Sequence, residues 1–223
     1  MRSIDIGSLA IELPSIQSGA TVWRLVHAVE RLIAGALLVL ALPILALVSV
    51  VIVTISRQSP FVAHQRVGKG GRLIWVLKLR TMWKGDSGNR SIFVYRLSAA
   101  DAPLLAPNIK NIRVTSRFAA FCRRYSLDEL PQLWHVVRGE MALVGPRPLT
   151  PQELATYYGS DGARIVSALP GLTGLWQISG RSRLTYPQRR RLDLFLVRKW
   201  SLLLYLRILL LTLPRVLTGK DAW

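Results

Sequence analysis

The chain has 223 residues, enough for one domain or for one domain with an anchor. Hydrophobic residues make up 51% of it, and its formal charge of +18 lies wholly beyond residue 56, because residues 1–56 are neutral. A neutral, apolar front and a basic body predict an anionic partner: a membrane surface, nucleic acid or a phosphorylated substrate. The single cysteine, Cys122, excludes an intramolecular disulfide, which fits a reducing compartment.

Residues 32–55 carry no charged side chain and are long enough to cross a bilayer, for which about 20 residues suffice. Pro43 lies near the middle, where it removes a helix hydrogen bond and favours a kink. The basic residues that follow place the C-terminal flank in the cytoplasm by the positive-inside rule. Two structures stay open: a helix that spans the membrane, or one that bends at Pro43 and returns to the cytoplasmic face. The late start and the length of the run argue against a cleaved signal peptide.

Residues 72–82 alternate as a β-strand does, and this period places Lys78 and Arg80 on one face. That face is either a solvated strand edge or a binding surface. Residues 84–111 are rich in Gly, Ser, Asn and Pro and predict a loop. Residues 113–125 predict a basic helix.

An adjacent acidic pair, Asp128 and Glu129, stands at the start of a helix predicted to run from residue 126 to Gly139. Ser126 and Glu129 match a capping box, in which Glu129 satisfies a backbone donor; capping explains Asp128 less well. The basic surroundings and the helix dipole are expected to lower the pKa of both carboxyl groups. Two ionised carboxylates are suited to act as a nucleophile or as metal ligands.

The sequence Gly145-Pro146-Arg147-Pro148 holds Arg147 between two prolines, and a rigidly held guanidinium suits phosphate or a carboxylate. A plain turn is the alternative, but a turn needs no arginine between two prolines. In the glycine-rich stretch 169–183, Gln177 and Arg181 are polar candidates for a cleft.

The C-terminal part of the chain is basic and apolar. Arg189, Arg190 and Arg191 form a run that we interpret as a membrane-facing or solvated patch. The apolar stretch from Trp200 to Leu213 is broken by Arg207 and is too short to span, so we expect a helix lying in the membrane interface.

Several common motifs are absent from the sequence: the P-loop, a dinucleotide-binding glycine fingerprint, zinc-ligand spacing, a nucleophile elbow and RNA-binding signatures. Charge alone would allow nucleic-acid binding. Because the apolar segment favours a membrane surface, no nucleic-acid partner is expected.

Five segments of the chain carry a resemblance to a known family. They are the proline-broken apolar helix around Pro43, KLRTM (78–82), SLDELPQL (126–133), GEMALVGPRP (139–148) and PGLTGLWQISGR (170–181). In this order they resemble the bacterial sugar transferase family, the monotopic phosphoglycosyl transferases that start glycan assembly on a polyprenyl carrier, and the resemblance runs from about residue 27 to residue 218. Leu192–Asp193 and the amphipathic helices after it complete the set. The short form is similar to exopolysaccharide-initiating members that transfer galactose or glucose phosphate.

The resemblance implies an α/β fold that is mostly α, at the cytoplasmic face of the bacterial inner membrane. Residues 1–23 would form a tail, residues 24–58 a re-entrant membrane helix, and residues 59–223 a small cytoplasmic catalytic domain with amphipathic interfacial helices. The hairpin would break at Leu42 and Pro43. Leu42 replaces the serine that often precedes this proline, so a shallower bend is expected.

The resemblance also implies a reaction: transfer of a sugar-1-phosphate, galactose or glucose foremost, from a UDP-sugar to undecaprenyl phosphate, with release of UMP. Asp128 would be the nucleophile and form a phosphosugar–aspartyl intermediate. Glu129 would position the acceptor phosphate or help to hold Mg²⁺, so that both acids are candidate metal ligands. The remaining family positions would bind phosphate or nucleotide, or line and support the cleft: Lys78, Arg80, Arg147, Gln177, Arg181 and Asp193.

The expected partners are a UDP-sugar, undecaprenyl phosphate and membrane lipids, and a homodimer is compatible with these expectations. An alternative function is a non-catalytic membrane-surface scaffold or regulator that binds anionic lipid or nucleotide.

Overall fold

The computed structural model describes residues 20–82, 94–97 and 116–219. The first 19 residues of the predicted tail, most of the predicted loop at 84–111 and the start of the predicted helix at 113–125 lie outside the described residues. Within the described residues the fold is mostly helical with two small sheets, which confirms the expected class.

The apolar segment forms one long helix, α1 (Ala20–Ser56), which includes Pro43. By length and composition α1 could cross a membrane. One face of α1 packs on the rest of the protein through residues spaced three, four or seven apart, as a helix stripe requires. The buried members of this stripe are Ala34, Ala41, Leu45, Val48 and Ile52. Leu42 and Pro43 lie on the exposed side, and the helix continues through both, so the re-entrant bend stays a prediction.

A three-stranded sheet follows α1. Its central strand, β1 (Phe61–Val67), pairs antiparallel with β2 (Leu73–Leu79), which confirms the strand predicted within residues 72–82. On its other side β1 pairs in parallel with β3 (Val94–Leu97). The prediction of a loop throughout 84–111 is therefore wrong at β3, because a strand of four residues is too short to show a period within a Gly- and Ser-rich stretch.

Short helices and a second sheet make up the rest of the described chain. The α-helices are α2 (Arg117–Arg124), α3 (Leu133–Val137), α4 (Pro151–Glu153), α5 (Gly162–Val166), α6 (Leu175–Ile178), α7 (Tyr186–Arg198) and α8 (Leu202–Thr218). Short 3-10 segments lie at Lys69–Gly71, Leu127–Gln132, Gly159–Asp161 and Arg181–Arg183, and a π-helical segment lies at Leu154–Tyr158. The helix predicted within residues 113–125 is confirmed where it is described, as α2.

The second sheet brings the Gly-Pro-Arg-Pro corner next to the glycine-rich stretch. Its strands β4 (Ala142–Val144) and β5 (Gly171–Thr173) are parallel, and Gly145 N donates to Thr173 O at 2.9 Å. A Cβ atom at Gly145 would meet the Leu169 carbonyl and the Gly171 backbone, and a Cβ atom at Gly171 would meet Gly145. Glycine at both positions is thus needed for this close approach.

Glu30 of α1 joins the long helix to the rest of the fold. Its carboxylate is buried, and Oε1 accepts from Leu143 N at 2.8 Å and from the Tyr205 hydroxyl at 2.6 Å. Leu143 belongs to β4 and Tyr205 to α8. One carboxylate therefore fixes α1, α8 and the strand that leads into the Gly-Pro-Arg-Pro corner.

Helix α8 confirms that the stretch predicted from Trp200 to Leu213 is helical, although the helix begins at Leu202, where the Ser201 side chain caps it. Tyr205 and Ile208 face the protein interior, and the opposite side exposes a row of leucines. These are Leu203, Leu206, Leu210, Leu213 and Leu217. The exposed row is apolar, and a position of α8 in the membrane interface stays a prediction.

Candidate active site

Asp128 lies on the 3-10 segment Leu127–Gln132 and is only 8% exposed. Burial raises its pKa to about 6, against the opposing effect of the nearby Lys78 ammonium. The expectation of a lowered pKa is therefore wrong for Asp128, since the cost of removing its charge from water outweighs the cationic surroundings. At neutral pH the carboxylate is still the major form, and it is poorly solvated, which favours nucleophilic attack.

Glu129 is held in its charged form by a direct partner. Lys78 Nζ donates to Glu129 Oε1 at 2.6 Å. Burial alone would raise the Glu129 pKa, but Lys78, followed by Arg181 and Arg147, lowers it below its usual value. The two adjacent acids thus differ in ionisation behaviour because, among the described residues, Glu129 has a direct cationic partner and Asp128 has none.

The capping-box prediction at Ser126 is wrong. Ser126 has a left-handed backbone (φ 57°) and its side chain makes no capping hydrogen bond. Its hydroxyl instead accepts from Arg181 NH2 at 2.7 Å. The tight 3-10 turn that follows buries Asp128 and places the Glu129 carboxylate against Lys78. Glu129 therefore forms an ion pair with Lys78 and does not cap a helix.

Lys78 is positioned by a histidine that the sequence did not single out. Leu77 N, the neighbouring backbone amide on β2, donates to His135 Nε2 at 3.0 Å. Because Nε2 accepts, His135 Nδ1 carries the proton and donates to Glu140 Oε2 at 2.6 Å. His135 thereby ties β2 to α3. The short separation of His135 and Glu140 along the chain was the available signal.

The Gly-Pro-Arg-Pro corner places the Arg147 guanidinium over the Trp176 ring, with Cζ 4.6 Å from the ring centroid. Its backbone N–H lies 3.4 Å from Asp193 Oδ1, and the Tyr158 hydroxyl donates to Asp193 Oδ2 at 2.8 Å. Asp193 is fully buried, and burial raises its pKa to about 7. Asp193 therefore supports the corner from beneath and does not line an open cleft.

The other predicted binding residues fall into two groups. Gln177 and Arg181 lie on the same side as Arg147: Gln177 is buried on α6 beside Trp176, and Arg181 reaches Ser126. Arg80 is 4% exposed, and its Nε donates to Ser59 O at 2.8 Å, which ties the end of β2 to the segment after α1. Neither Lys78 nor Arg80 lies on a solvated strand edge. A substrate-binding role for Arg80 stays a prediction.

Two further residues near Arg147 escaped the sequence argument. Arg66 of β1 forms an ion pair with Glu153, with NH1 3.3 Å from Oε2, and the Tyr186 hydroxyl donates to Glu153 Oε1 at 3.0 Å. Burial would raise the Glu153 pKa, but Arg147 and Arg66 lower it. Arg66 and Glu153 are 87 positions apart, so no local pattern could connect them.

The sequence profile of the family described as bacterial sugar transferase matches residues 22–219, nearly the whole chain. The chain belongs to the bacterial sugar transferase family. This confirms the resemblance seen in the five ordered segments, including those that carry Asp128, Arg147 and Arg181.

Three relatives show how this sugar transferase compares with named proteins. It is 40% identical over 196 residues to the UDP-galactose-lipid carrier transferase of Erwinia amylovora, covering 85% of this chain and 40% of that protein. It is 36% identical over 197 residues to the exopolysaccharide production protein ExoY of Rhizobium meliloti (strain 1021), covering 87% of this chain and 86% of that protein. It is 35% identical over 170 residues to the UDP-glucose:undecaprenyl-phosphate glucose-1-phosphate transferase of Xanthomonas campestris pv. campestris, covering 73% of this chain and 32% of that protein. The chain thus spans less than half the length of two of these relatives.

The described residues of the sugar transferase contain no cluster of three or more His, Cys, Asp and Glu side chains that could hold a metal ion. The carboxylates of Asp128 and Glu129 are the donor pair available at the site. Such a pair fits Mg²⁺, which is commonly bound through one or two carboxylates together with substrate phosphates and water.

Proposed function

We propose that this sugar transferase moves a sugar-1-phosphate from a UDP-sugar to undecaprenyl phosphate and releases UMP, the first membrane step of exopolysaccharide assembly. The observation that carries the proposal is a buried carboxylate, Asp128, next to a lysine-paired one, Glu129, on a site lined with arginines. The names of the relatives support it, since one acts from UDP-glucose on undecaprenyl phosphate and another is a UDP-galactose-lipid carrier transferase. Galactose and glucose are therefore the favoured sugars.

The reaction would proceed in two displacements at the sugar-bearing phosphorus. An Asp128 carboxylate oxygen forms a bond to this phosphorus, and the bond to the bridging oxygen breaks, so that UMP leaves with the electron pair. A phosphate oxygen of the lipid then attacks the same phosphorus and displaces the Asp128 carboxylate. The partly desolvated Asp128 is suited to the first step, and it is regenerated in the second.

The surrounding residues would bind and orient the two substrates. Lys78 keeps Glu129 ionised and restrains its carboxylate beside Asp128. Arg147 and Arg181 supply guanidinium groups for phosphate oxygens, to which this planar fork is suited. Mg²⁺, held by Asp128 and Glu129 together with substrate phosphates, would neutralise charge on the diphosphate. Substrate positioning and charge neutralisation are the main demands of phosphoryl transfer.

We further propose that α1 stays on the cytoplasmic face of the inner membrane. Ala34 and Ile52, on either side of Pro43, both pack on the catalytic part of the protein. Eighteen residues of helix extend about 27 Å, close to the roughly 30 Å of a bilayer's apolar core. A straight span that left the catalytic part in the cytoplasm would separate one of these contacts from it. Protease access to an N-terminal tag from the periplasmic side would contradict the proposal.

The decisive experiment measures UMP release by detergent-purified protein with undecaprenyl phosphate, Mg²⁺ and a panel of UDP-sugars. We expect release with one sugar and near-complete loss in Asp128→Asn. Asp161→Asn, at a half-exposed aspartate on the Gly159–Asp161 segment, is the matched control and should retain activity.

Intact-protein mass spectrometry without the lipid tests the covalent step. A mass increase of one sugar phosphate on the wild-type protein, absent from Asp128→Asn, would support it. Normal turnover of Asp128→Asn would refute the aspartyl intermediate. If the folded protein releases no UMP with any UDP-sugar of the panel, the membrane-surface scaffold would be favoured instead.

A further inference from the structure

Two arginines lie against the Trp176 ring, and one of them also contacts the backbone of a third arginine, Arg181. Arg147 and Arg189 both approach the indole, with their Cζ atoms 4.6 Å and 5.6 Å from its centroid. Arg189 NH2 also donates to the Arg181 carbonyl at 3.1 Å. Arg189 is only 6% exposed, so its interpretation as part of a solvated or membrane-facing patch is wrong.

The start of α7 explains why Arg189 turns inward and its neighbours do not. A capping box at Thr185 and Gln188 fixes the first turn of α7. Tyr186 stacks on Tyr157 with a centroid distance of 3.7 Å, and this holds the same turn against the protein. Because successive helix residues are about 100° apart, Arg189 points inward while Arg191, two positions later, is exposed.

Within the described part of the chain, the guanidinium groups of Arg147, Arg181 and Arg189 have no carboxylate partner. Among the described residues, none of Arg147, Arg181 and Arg189 lies within 4.0 Å of a carboxylate oxygen. Three nearby acids are already engaged: Glu153 by Arg66, Thr150 and Tyr186, Asp193 by Tyr158 and the Arg147 amide, and Glu129 by Lys78.

Hydrogen bonding at the cluster is also incomplete. Arg147 Nε, Arg181 NH1, Arg189 Nε and Gln177 Oε1 are buried and have no hydrogen-bond partner among the residues that the structure describes. Burial, and then the charge of Arg147, lower the Arg189 pKa. Like charges gathered in a buried place without counterions are costly, and a bound anion would relieve that cost. The stacking on Trp176 holds the cationic groups in place before the anion arrives.

We propose that Arg189, together with Arg147 and Arg181, forms a binding site for a phosphate group of a substrate. The inference rests on the proposed function and adds to it a residue, Arg189, that directly contacts this phosphate. The location follows from Arg181, which bonds Ser126, two positions before the nucleophile Asp128. The phosphate could come from the UDP-sugar or from the lipid acceptor, and the experiment distinguishes the two sources.

The test compares Arg189→Gln with Arg191→Gln, which makes the same charge change on the same helix at an exposed position. UDP affinity is measured by calorimetry without lipid, and KM for undecaprenyl phosphate is measured by UMP release. We expect Arg189→Gln to weaken one of these by about 10- to 100-fold, the range for a lost charge-assisted hydrogen bond. Arg191→Gln should change both by less than about twofold, since exposed charges contribute little.

Weakened UDP binding would assign the phosphate to the donor, and a raised KM for the lipid alone would assign it to the acceptor. The inference would be overturned if Arg189→Gln left both the UDP affinity and the KM for undecaprenyl phosphate unchanged. It would also be overturned if Arg191→Gln weakened binding as much as Arg189→Gln does. Arg189→Lys, which keeps the charge but not the planar fork, is the second variant if Arg189→Gln fails to fold, and it should also weaken binding. A wild-type protein that neither binds UDP nor releases UMP would refute the proposed function itself; wild-type activity with an unaffected Arg189→Gln would refute this inference alone.

Discussion

The pH dependence of the first half-reaction tests the environment of Asp128. Its pKa is raised to about 6 by burial, and the carboxylate is the nucleophilic form. A group with this pKa is about nine-tenths ionised at pH 7 and about one-tenth ionised at pH 5. An aspartate with its ordinary pKa would remain more than about nine-tenths ionised at pH 5. The rate should therefore fall roughly tenfold between pH 7 and pH 5, with a midpoint near pH 6.

The assay must leave out undecaprenyl phosphate, because its phosphate monoester titrates at about pH 6, in the same range as Asp128. A single-turnover measurement of UMP release from the UDP-sugar without undecaprenyl phosphate meets this need, since its diphosphate is already fully ionised. Lys78→Met should move the midpoint upward, because Lys78 exerts the largest effect that lowers the Asp128 pKa. A rate that stays constant from pH 7 to pH 5 in the wild-type protein would refute the claim that burial controls this carboxyl group.

Three further predictions concern the scaffold around the site. Gly171→Ala drives a Cβ atom into the Gly145 backbone, so thermal unfolding should show a loss of about 1–3 kcal/mol in the free energy of unfolding, and UMP release should fall. His135→Leu leaves the partly buried Leu77 N–H without its acceptor, so kcat should drop, whereas His135→Asn, which can still accept, should restore much of it. Equal kcat values for the His135→Leu and His135→Asn variants would contradict the positioning role. Tyr205→Phe removes one hydrogen bond from Glu30, and calorimetric unfolding in detergent should show a loss of about 1–3 kcal/mol with UDP affinity unchanged.

The parts of the site that the sequence predicts well are those set by residues close together in the chain. Arg147 between two prolines points to a rigidly held guanidinium, and the structure has it over Trp176, supported from below by Asp193. The helix predicted from residue 126 was wrong in kind at its start, since Ser126 takes a left-handed conformation and a 3-10 segment follows. Helical spacing of apolar residues does not distinguish a tight 3-10 turn from an α-helix over so few residues.

Burial and long-range pairing account for what the sequence missed. Arg189 sits in a run of three arginines, and its inward turn depends on the packing of the first turn of α7 against Tyr157 and Trp176. His135 accepts from the Leu77 amide only because the fold brings β2 against α3, and the two residues are 58 positions apart. The strand β3 could not be predicted from its local sequence, since it lies in a stretch whose composition favours a loop. Its pairing with β1 supplies the stabilisation that its own four residues lack.

By itself the sequence determined the long apolar helix, the strand at β2, the adjacent acids and the family, because each depends on a local run of residues. Only the tertiary structure decided how the two acids differ. Lys78 and Glu129 are 51 positions apart, and their contact lowers one pKa while burial raises the other. Ionisation depends on the solvent and charges that surround a group in space, and these are set when distant segments pack together.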